Sequence, residues 1–329
     1  MKTLNNNLPR IIAVAIFAVG LTPAAFGDAQ INFGDTWLGV NDEGHLNVAD
    51  ALGVTINTSN TGLTYAPVGD ATSPGCLCEG WGVAINGTTA MHANQVAGGI
   101  TNITVDSFAS TASTATSVVS MTSTPGLTIT HAYQPSAAAD VFEAVVTISN
   151  STGAGVTDVR YSRAMDWDVP PTEFSEFVTI GGTATTADLL YSSDNGFANP
   201  NPLAAGDRFD RAGCGETVDF TDCGAADHGA LFDFGFGDLA DGEEITFSIF
   251  YGAAADEAGA LAALGTIGAE LFSFGQQNGD PGGGTPATFI FAFSGVGGVI
   301  VVPPSIPEPA TLLLMGIGLA GLGLRRRSI

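Results

Sequence analysis

The chain has 329 residues, with 33 acidic side chains against nine basic ones and a formal net charge of −24. Lys2, Arg10 and Arg325 to Arg327 lie at the two ends, so the interior keeps only Arg160, Arg163, Arg208 and Arg211 and no lysine. That balance excludes nucleic acid and anionic lipid surfaces as partners, since both need a basic footprint. The missing lysine also excludes Schiff-base chemistry. Divalent cations and neutral or cationic polysaccharide remain compatible with the charge.

Residues 1–27 read as a secretory leader. Lys2 and Arg10 form its positive start, Ile11 to Val19 its apolar centre, and Ala25-Phe26-Gly27 its small-residue cleavage site, with cleavage after Ala29 as the alternative. Such a leader implies signal peptidase as a processing partner.

Residues 28–296 read as one β domain. Apolar residues alternate in Leu127–Tyr133, in Phe142–Ser149 and in Ile245–Tyr251. Phe232, Phe234 and Phe236 share one face of a strand, as do Phe289, Phe291 and Phe293. Asn150-Ser151-Thr152-Gly153, Asp194-Asn195-Gly196 and Asp241-Gly242 punctuate these runs as turns. Ser107–Ser123, rich in Ser, Thr and Ala, fits exposed strands as well as a linker. Many short strands with such turns predict a mainly β fold, an antiparallel β-sandwich. One stretch departs from period two. Leu261, Leu264, Ile267, Leu271 and Phe274 are spaced by three or four after Asp256-Glu257, which predicts an amphipathic helix from Asp256 to Phe274 packed on the sandwich. Gln276–Thr285 reads as a Gly-rich loop, Ala287–Ser294 as a last strand, and 297–306 as a linker.

Cys76, Cys78, Cys214 and Cys223 suit two disulfides in an exported chain. Three connectivities are open: Cys214 and Cys223 enclose a short loop and are able to pair simply, which leaves Cys76 and Cys78 a strained ring, whereas cross-pairs between the two groups remove that strain. A four-thiolate zinc site is the rival, but C-x-C and C-x8-C spacings do not match the usual C-x2-C knuckles.

Three patches are candidates for chemistry. Asp166-Trp167-Asp168, with Glu173 and Glu176 behind, places two carboxylates on one strand face, where they are able to bind calcium or act as acid and base. The blander reading is that they cap the Pro170-Pro171 turn and pair with Arg160 or Arg163. Asp219, Asp222, Asp227, His228, Asp233 and Asp238 form an Asp-rich stretch without the spacing of an EF-hand loop, read as turns. Trp37, Trp81 and Trp167 are candidate sugar platforms, with core packing as the expected role. No G-x-S-x-G, H-E-x-x-H or phosphate-binding Gly loop is present, so no catalytic residue and no cofactor are assigned beyond the calcium option at Asp166 and Asp168.

The chain ends in Pro303-Pro304-Ser305-Ile306-Pro307-Glu308-Pro309, the uncharged stretch Ala310–Leu324, and Arg325-Arg326-Arg327. As a helix the 15 apolar residues would be about 22 Å long, a marginal span for a hydrocarbon core of roughly 30 Å, with the arginines on the cytoplasmic side. Pro307-Glu308-Pro309, a short Gly/Leu-rich span (310–324) and a terminal arginine cluster (325–327) resemble the PEP-CTERM sorting signal, over residues 307–329. The resemblance implies export in a Gram-negative bacterium that makes exopolysaccharide, transient anchoring in the inner membrane, and processing by an exosortase-type protease. It implies no activity for the domain ahead of it. The leading expectation is therefore a non-enzymatic cell-surface or matrix protein. The alternatives are a carbohydrate-binding module, calcium-assisted through Asp166 and Asp168 beside Trp167, and a glycoside-active enzyme pairing one of those acids with Glu173 or Asp233.

Overall fold

The computed structural model describes residues 27–279 and 286–302. The expected leader, apart from Gly27, and the expected membrane helix and sorting motif lie outside the described residues.

The first half of the domain contains strands β1 (Ala29–Phe33), β2 (Thr36–Val40), β3 (Val48–Ala49), β4 (Asn60–Thr61), β5 (Leu63–Tyr65), β6 (Gly69–Asp70), β7 (Gly80–Ile85), β8 (Thr89–Asn94), β9 (Ile103–Ser110) and β10 (Ala115–Met121). The second half runs through β11 (Leu127–Pro135), β12 (Val141–Asn150), β13 (Val156–Asp166), β14 (Glu176–Gly181), β15 (Leu189–Ser193), β16 (Phe220–Ala226), β17 (Gly229–Leu239) and β18 (Glu244–Ala254). It closes with helix α1 (Glu257–Ile267), β19 (Leu271–Gln276) and β20 (Thr288–Ser294). Every paired ladder is antiparallel, as the alternating sequence predicts.

A nine-stranded sheet has the order β16-β14-β19-β20-β18-β12-β11-β10-β9, and a five-stranded sheet has the order β15-β17-β13-β7-β8. The two share one apolar core. Phe232 of β17 packs edge-on against Phe291 and Phe293 of β20, at centroid distances of 5.6 and 5.1 Å. Phe234–Phe293 and Tyr161–Phe247, each at 4.9 Å, join the layers in the same way, and aromatic pairs in these geometries add to the area they bury. The smaller sheet β1-β2-β5-β6 adds Ile31, Leu38 and Leu63 to the same core. The Ser/Thr-rich stretch becomes the two strands at one edge, β9 and β10, and not a linker.

The three predicted alternations hold. Leu127, Ile129, His131 and Tyr133 are buried along β11, and Phe142, Ala144, Val146 and Ile148 along β12. In β20 both faces are covered: Phe289, Phe291 and Phe293 face the inter-sheet core, while Ile290 and Ala292 face α1. A strand buried on both sides reads as a continuous apolar run, which explains Thr288–Ser294.

The helix is shorter than its spacing predicts. Asp256 caps it, its side chain accepting from the Gly259 N–H at 2.8 Å, and Gly268 ends it in the left-handed conformation, φ 66°. Leu271 and Phe274, predicted for its apolar face, belong instead to β19, paired on both sides with β14 and β20. Leu271-Phe272-Ser273-Phe274 satisfies both periods, and central pairing in a sheet decides for the strand. Ala260 and Leu264 bury α1 on Val141, Phe250 and Ile290, the outer face of the large sheet. The start of the predicted linker stays bound to the domain: Gly298 N–H donates to Glu270 and Val301 N–H to the Ala269 carbonyl. Among the described residues no helix is long and apolar enough to cross a membrane.

Candidate metal centre

The chain passes between the two sheets at one end of the domain, and there it gathers its carboxylates. Asp166 closes β13 in the five-stranded sheet, and Glu176 opens β14 in the nine-stranded one. The return passage is only Asp227-His228, between Ala226 of β16 and Gly229 of β17. Register superposes the two passages. Asp166 stands opposite Gly229, Glu176 stands opposite Ala226, and Trp167 N–H donates to the His228 carbonyl at 3.3 Å. Asp168 N–H donates to the Ala71 carbonyl at 2.7 Å, which fixes the far side. Carboxylate oxygens of Asp166, Asp168 and Asp227 consequently lie within 4.8 Å of one another.

Two glycines permit this approach. A Cβ on Gly229 or Gly196 would overlap the Met165 carbonyl and the Asp166 Cα, so no larger residue fits either position without moving the Asp166 backbone.

Asp166, Asp168 and Glu176 are buried, at 1%, 0% and 0% exposure. Asp166 Oδ1, both oxygens of Asp168, both oxygens of Glu176 and Asp227 Oδ1 meet no hydrogen-bond donor. Cys76 Sγ lies 3.5 Å from Asp166 Oδ2, but as a disulfide sulfur it has no proton to give. Burial, then the charges of Asp227 and Glu176, push Asp166 well above the usual carboxylate range. Burial first, then the charge of Asp166, pushes Asp168 up to about 10. Burial raises Glu176 to about 8; the nearby N–H groups of Ser175 and of Glu176 itself pull it down, though none meets its oxygens in hydrogen-bond geometry. One cation touches the rim: Arg211, at 3.8 Å from Asp227 Oδ2 and partly exposed, a weak pair.

The expected pairing of Asp166 and Asp168 with arginine is not what the fold builds. Arg163 pairs with Glu79 inside the core, and Arg160 with Asp158 at 2.9 Å on the surface. Arg163 alternates to the face of β13 opposite Asp166, Arg160 stands six residues along the same strand, and the chain beyond Asp166 turns Asp168 away from both. The arrangement has two chemical outlets: the carboxyls hold protons, or together they hold a cation.

The other predicted acids scatter. The Asn57 side chain donates to Glu173, the Thr183 hydroxyl to Asp219, and Arg208 to both oxygens of Asp233. Asp222 Oδ1 is buried without a donor, apart from the trio. Asp238 accepts from the Asp158 N–H at 3.3 Å. His228 lies between Asp194 Oδ2, 3.0 Å from Nδ1, and the Glu176 carbonyl, 3.3 Å from Nε2. Asp227 is the member of the site hardest to find from sequence, because no local spacing ties it to Asp166, whereas Glu176 already stands with that patch. Trp81 and Trp167 are fully buried, Trp167 donating to Ser273 at 3.1 Å, so neither offers a stacking face; Trp37 is half-buried.

The cysteines pair as Cys76–Cys78 and Cys214–Cys223, with Cα separations of 5.3 and 5.8 Å. Among the open connectivities the fold thus decides against the cross-pairs. The loop carrying Cys76 and Cys78 packs against Asp166, while Cys214 and Cys223 lie on the His228 side of the site.

Residues 305–327 match the PEP-CTERM protein-sorting motif. The match takes in Pro307-Glu308-Pro309 and Arg325 to Arg327, the residues that carry the resemblance in the sequence. The PEP-CTERM motif marks an exported, envelope-associated protein sorted through its C-terminus, and it covers the tail alone. Comparison with curated proteins finds none that matches the chain.

Proposed function

We propose that this protein is a non-enzymatic component of a Gram-negative cell envelope or extracellular matrix: a β-sandwich domain exported behind its leader, anchored briefly by residues 310–324, and released or attached at the surface by an exosortase-type protease. The PEP-CTERM motif at 305–327 carries the reading. The geometry of the acids supports its non-enzymatic part. Asp166, Asp168 and Glu176 are sealed from any polymer substrate, and Asp233 is held in a bidentate ion pair by Arg208. Acid–base work on a glycosidic bond requires two carboxyls open to the sugar.

Intact-mass measurement of protein extracted from the cell surface tests this. The expected species lacks both the leader and Arg325 to Arg327. Surface protein that retains the arginines contradicts the reading, as does glycan hydrolysis that Asp166→Asn abolishes.

One observation favours a second reading, glycan binding without catalysis. A cleft of about 230 Å³ is lined by Arg160, Leu190, Tyr191, Pro202, Arg208 and Asp233. It combines an aromatic, an apolar floor and paired charges, the mixture that suits one sugar ring. A glycan array read with the wild type and Tyr191→Ala decides it; no glycan bound by the wild type eliminates the module.

A further inference from the structure

The geometry points to a calcium site formed by Asp166, Asp168 and Asp227, backed by Glu176, that bolts the two inter-sheet passages together.

Three observations carry it. The first is convergence: the carboxylate oxygens of Asp166, Asp168 and Asp227 come within 4.8 Å of one another from two separate passages. The second is the absence of donors. Asp168 is fully buried and neither of its oxygens meets a donor, and Asp166 Oδ1 and Asp227 Oδ1 are in the same state. Two fully buried carboxylates elsewhere among the described residues are satisfied, and the half-buried Asp222 keeps one donor-free oxygen. Asp70 accepts from Gly62, Thr64, Thr72 and Ser73, and Glu79 from Arg163, Tyr251 and Leu46. The fold therefore supplies donors to these two acids, and at the convergent cluster it withholds them. The third is surroundings. Among the described residues, the cation paired with the cluster is Arg211, which sits outside at the rim, 3.8 Å from Asp227 Oδ2 and partly exposed.

The donor set selects the ion. All free atoms are carboxylate oxygens, a hard set that suits calcium, magnesium or manganese. Cys76 and Cys78 sit beside Asp166 but are joined to each other, so no thiolate recruits zinc. Asp168 keeps both oxygens free, which suits the bidentate coordination calcium accepts. With Asp166 Oδ1 and Asp227 Oδ1 the trio offers four donor-free oxygens, and waters at the partly exposed Asp227 complete the six to eight that calcium takes. Magnesium demands near-ideal octahedral geometry and is usually held by one or two carboxylates, a poor match to three carboxylates converging from two passages. An exported domain also meets calcium without competition from cytosolic magnesium.

The test uses the mature exported protein with its disulfides intact, stripped with EDTA and titrated with calcium chloride by calorimetry and by thermal unfolding. One calcium per chain is expected to bind, and at free calcium a hundred times its Kd the folding equilibrium shifts about a hundredfold toward the native state. Asp168→Asn separates this from a merely structural acid. The variant is expected to lose the calcium response and to unfold in EDTA at or above the wild-type temperature, because its neutral amide replaces a carboxyl that without calcium must either take up a proton or repel its neighbours. No calcium binding to the wild type, a wild-type melting temperature indifferent to calcium and EDTA, or a full calcium response in Asp168→Asn overturns the proposal. Magnesium or manganese binding in preference to calcium overturns the choice of ion. An Asp168→Asn variant that fails to fold leaves the wild-type titration to decide.

Discussion

Arg163 and Glu79 form an ion pair with no exposed surface, and the residues around them explain how the core tolerates it. Arg163 also donates to the hydroxyls of Tyr133 and Tyr161, at 3.1 and 3.2 Å. Glu79 accepts from the Tyr251 hydroxyl at 3.2 Å and the Leu46 N–H at 2.6 Å. A buried pair is costly to make and more costly to break, because the surviving charge keeps its desolvation penalty. Arg163→Met is expected to lower stability by about 3–5 kcal/mol, and Arg163→Met with Glu79→Gln by clearly less, both read from urea unfolding. Two histidines next to this network set an acid limit. Burial pushes His45 down to about 4, and burial with the Arg163 charge pushes His131 well below its ordinary value. Their folded forms refuse a proton that the unfolded chain accepts near pH 6.5. Their share of the stability is therefore full above pH 6.5 and falls as pH drops toward 4, by up to about 1.4 kcal/mol per pH unit for each histidine, while the raised carboxyls of Asp166, Asp168 and Glu176 act in the opposite sense. The histidine share is read as a difference: in unfolding measured at pH 7, 6 and 5, the wild type is expected to lose stability relative to His131→Gln as the pH drops. An equal slope in the variant would contradict the assignment.

Among the elements, the strands were legible because half-buried antiparallel strands impose period two, as Leu127–Tyr133 and Phe142–Ser149 show. The helix was legible at its start and not at its end. Its beginning is local chemistry, the Asp256 cap, whereas its stop depends on Leu271–Gln276 finding β14 and β20 on either side, which no window of sequence records. Asp256→Ala is expected to lower stability by about 1 kcal/mol, read by denaturant titration, since α1 depends on that cap for a first-turn N–H. The cysteines give a similar lesson. Ring size argued against Cys76–Cys78, but the loop conformation brings the two together, and Cys214 lies far enough along its own loop to take Cys223. Thiol titration of the denatured, unreduced protein is expected to find no free cysteine, and partial proteolysis to leave each pair within one short peptide.

At the scale of the whole molecule, the sequence announces its destination at its end and hides its working site in its topology. The sorting motif is contiguous, and its order of Pro-Glu-Pro, apolar span and arginines is readable at sight. The carboxylate cluster is not contiguous. Asp166 and Asp168 showed the same-face spacing, but Asp227 appeared to belong to a separate Asp-rich run, and only the two passages between the sheets unite them. The arginine pairing expected of Asp166 fails within its own strand: alternation along β13 turns Arg163 to the opposite face, onto Glu79, and Arg160 pairs with Asp158 at the surface. The exported domain carries an excess of acidic residues, two covalent loop closures and a cluster of donor-free carboxylates at the junction of its layers. The most direct measurement is a crystal structure of the mature protein grown with calcium, with anomalous differences collected. One peak is expected at about 2.3–2.6 Å from oxygens of Asp166, Asp168 and Asp227. A cluster with no peak, its carboxyls joined instead by short hydrogen bonds to one another, would contradict it.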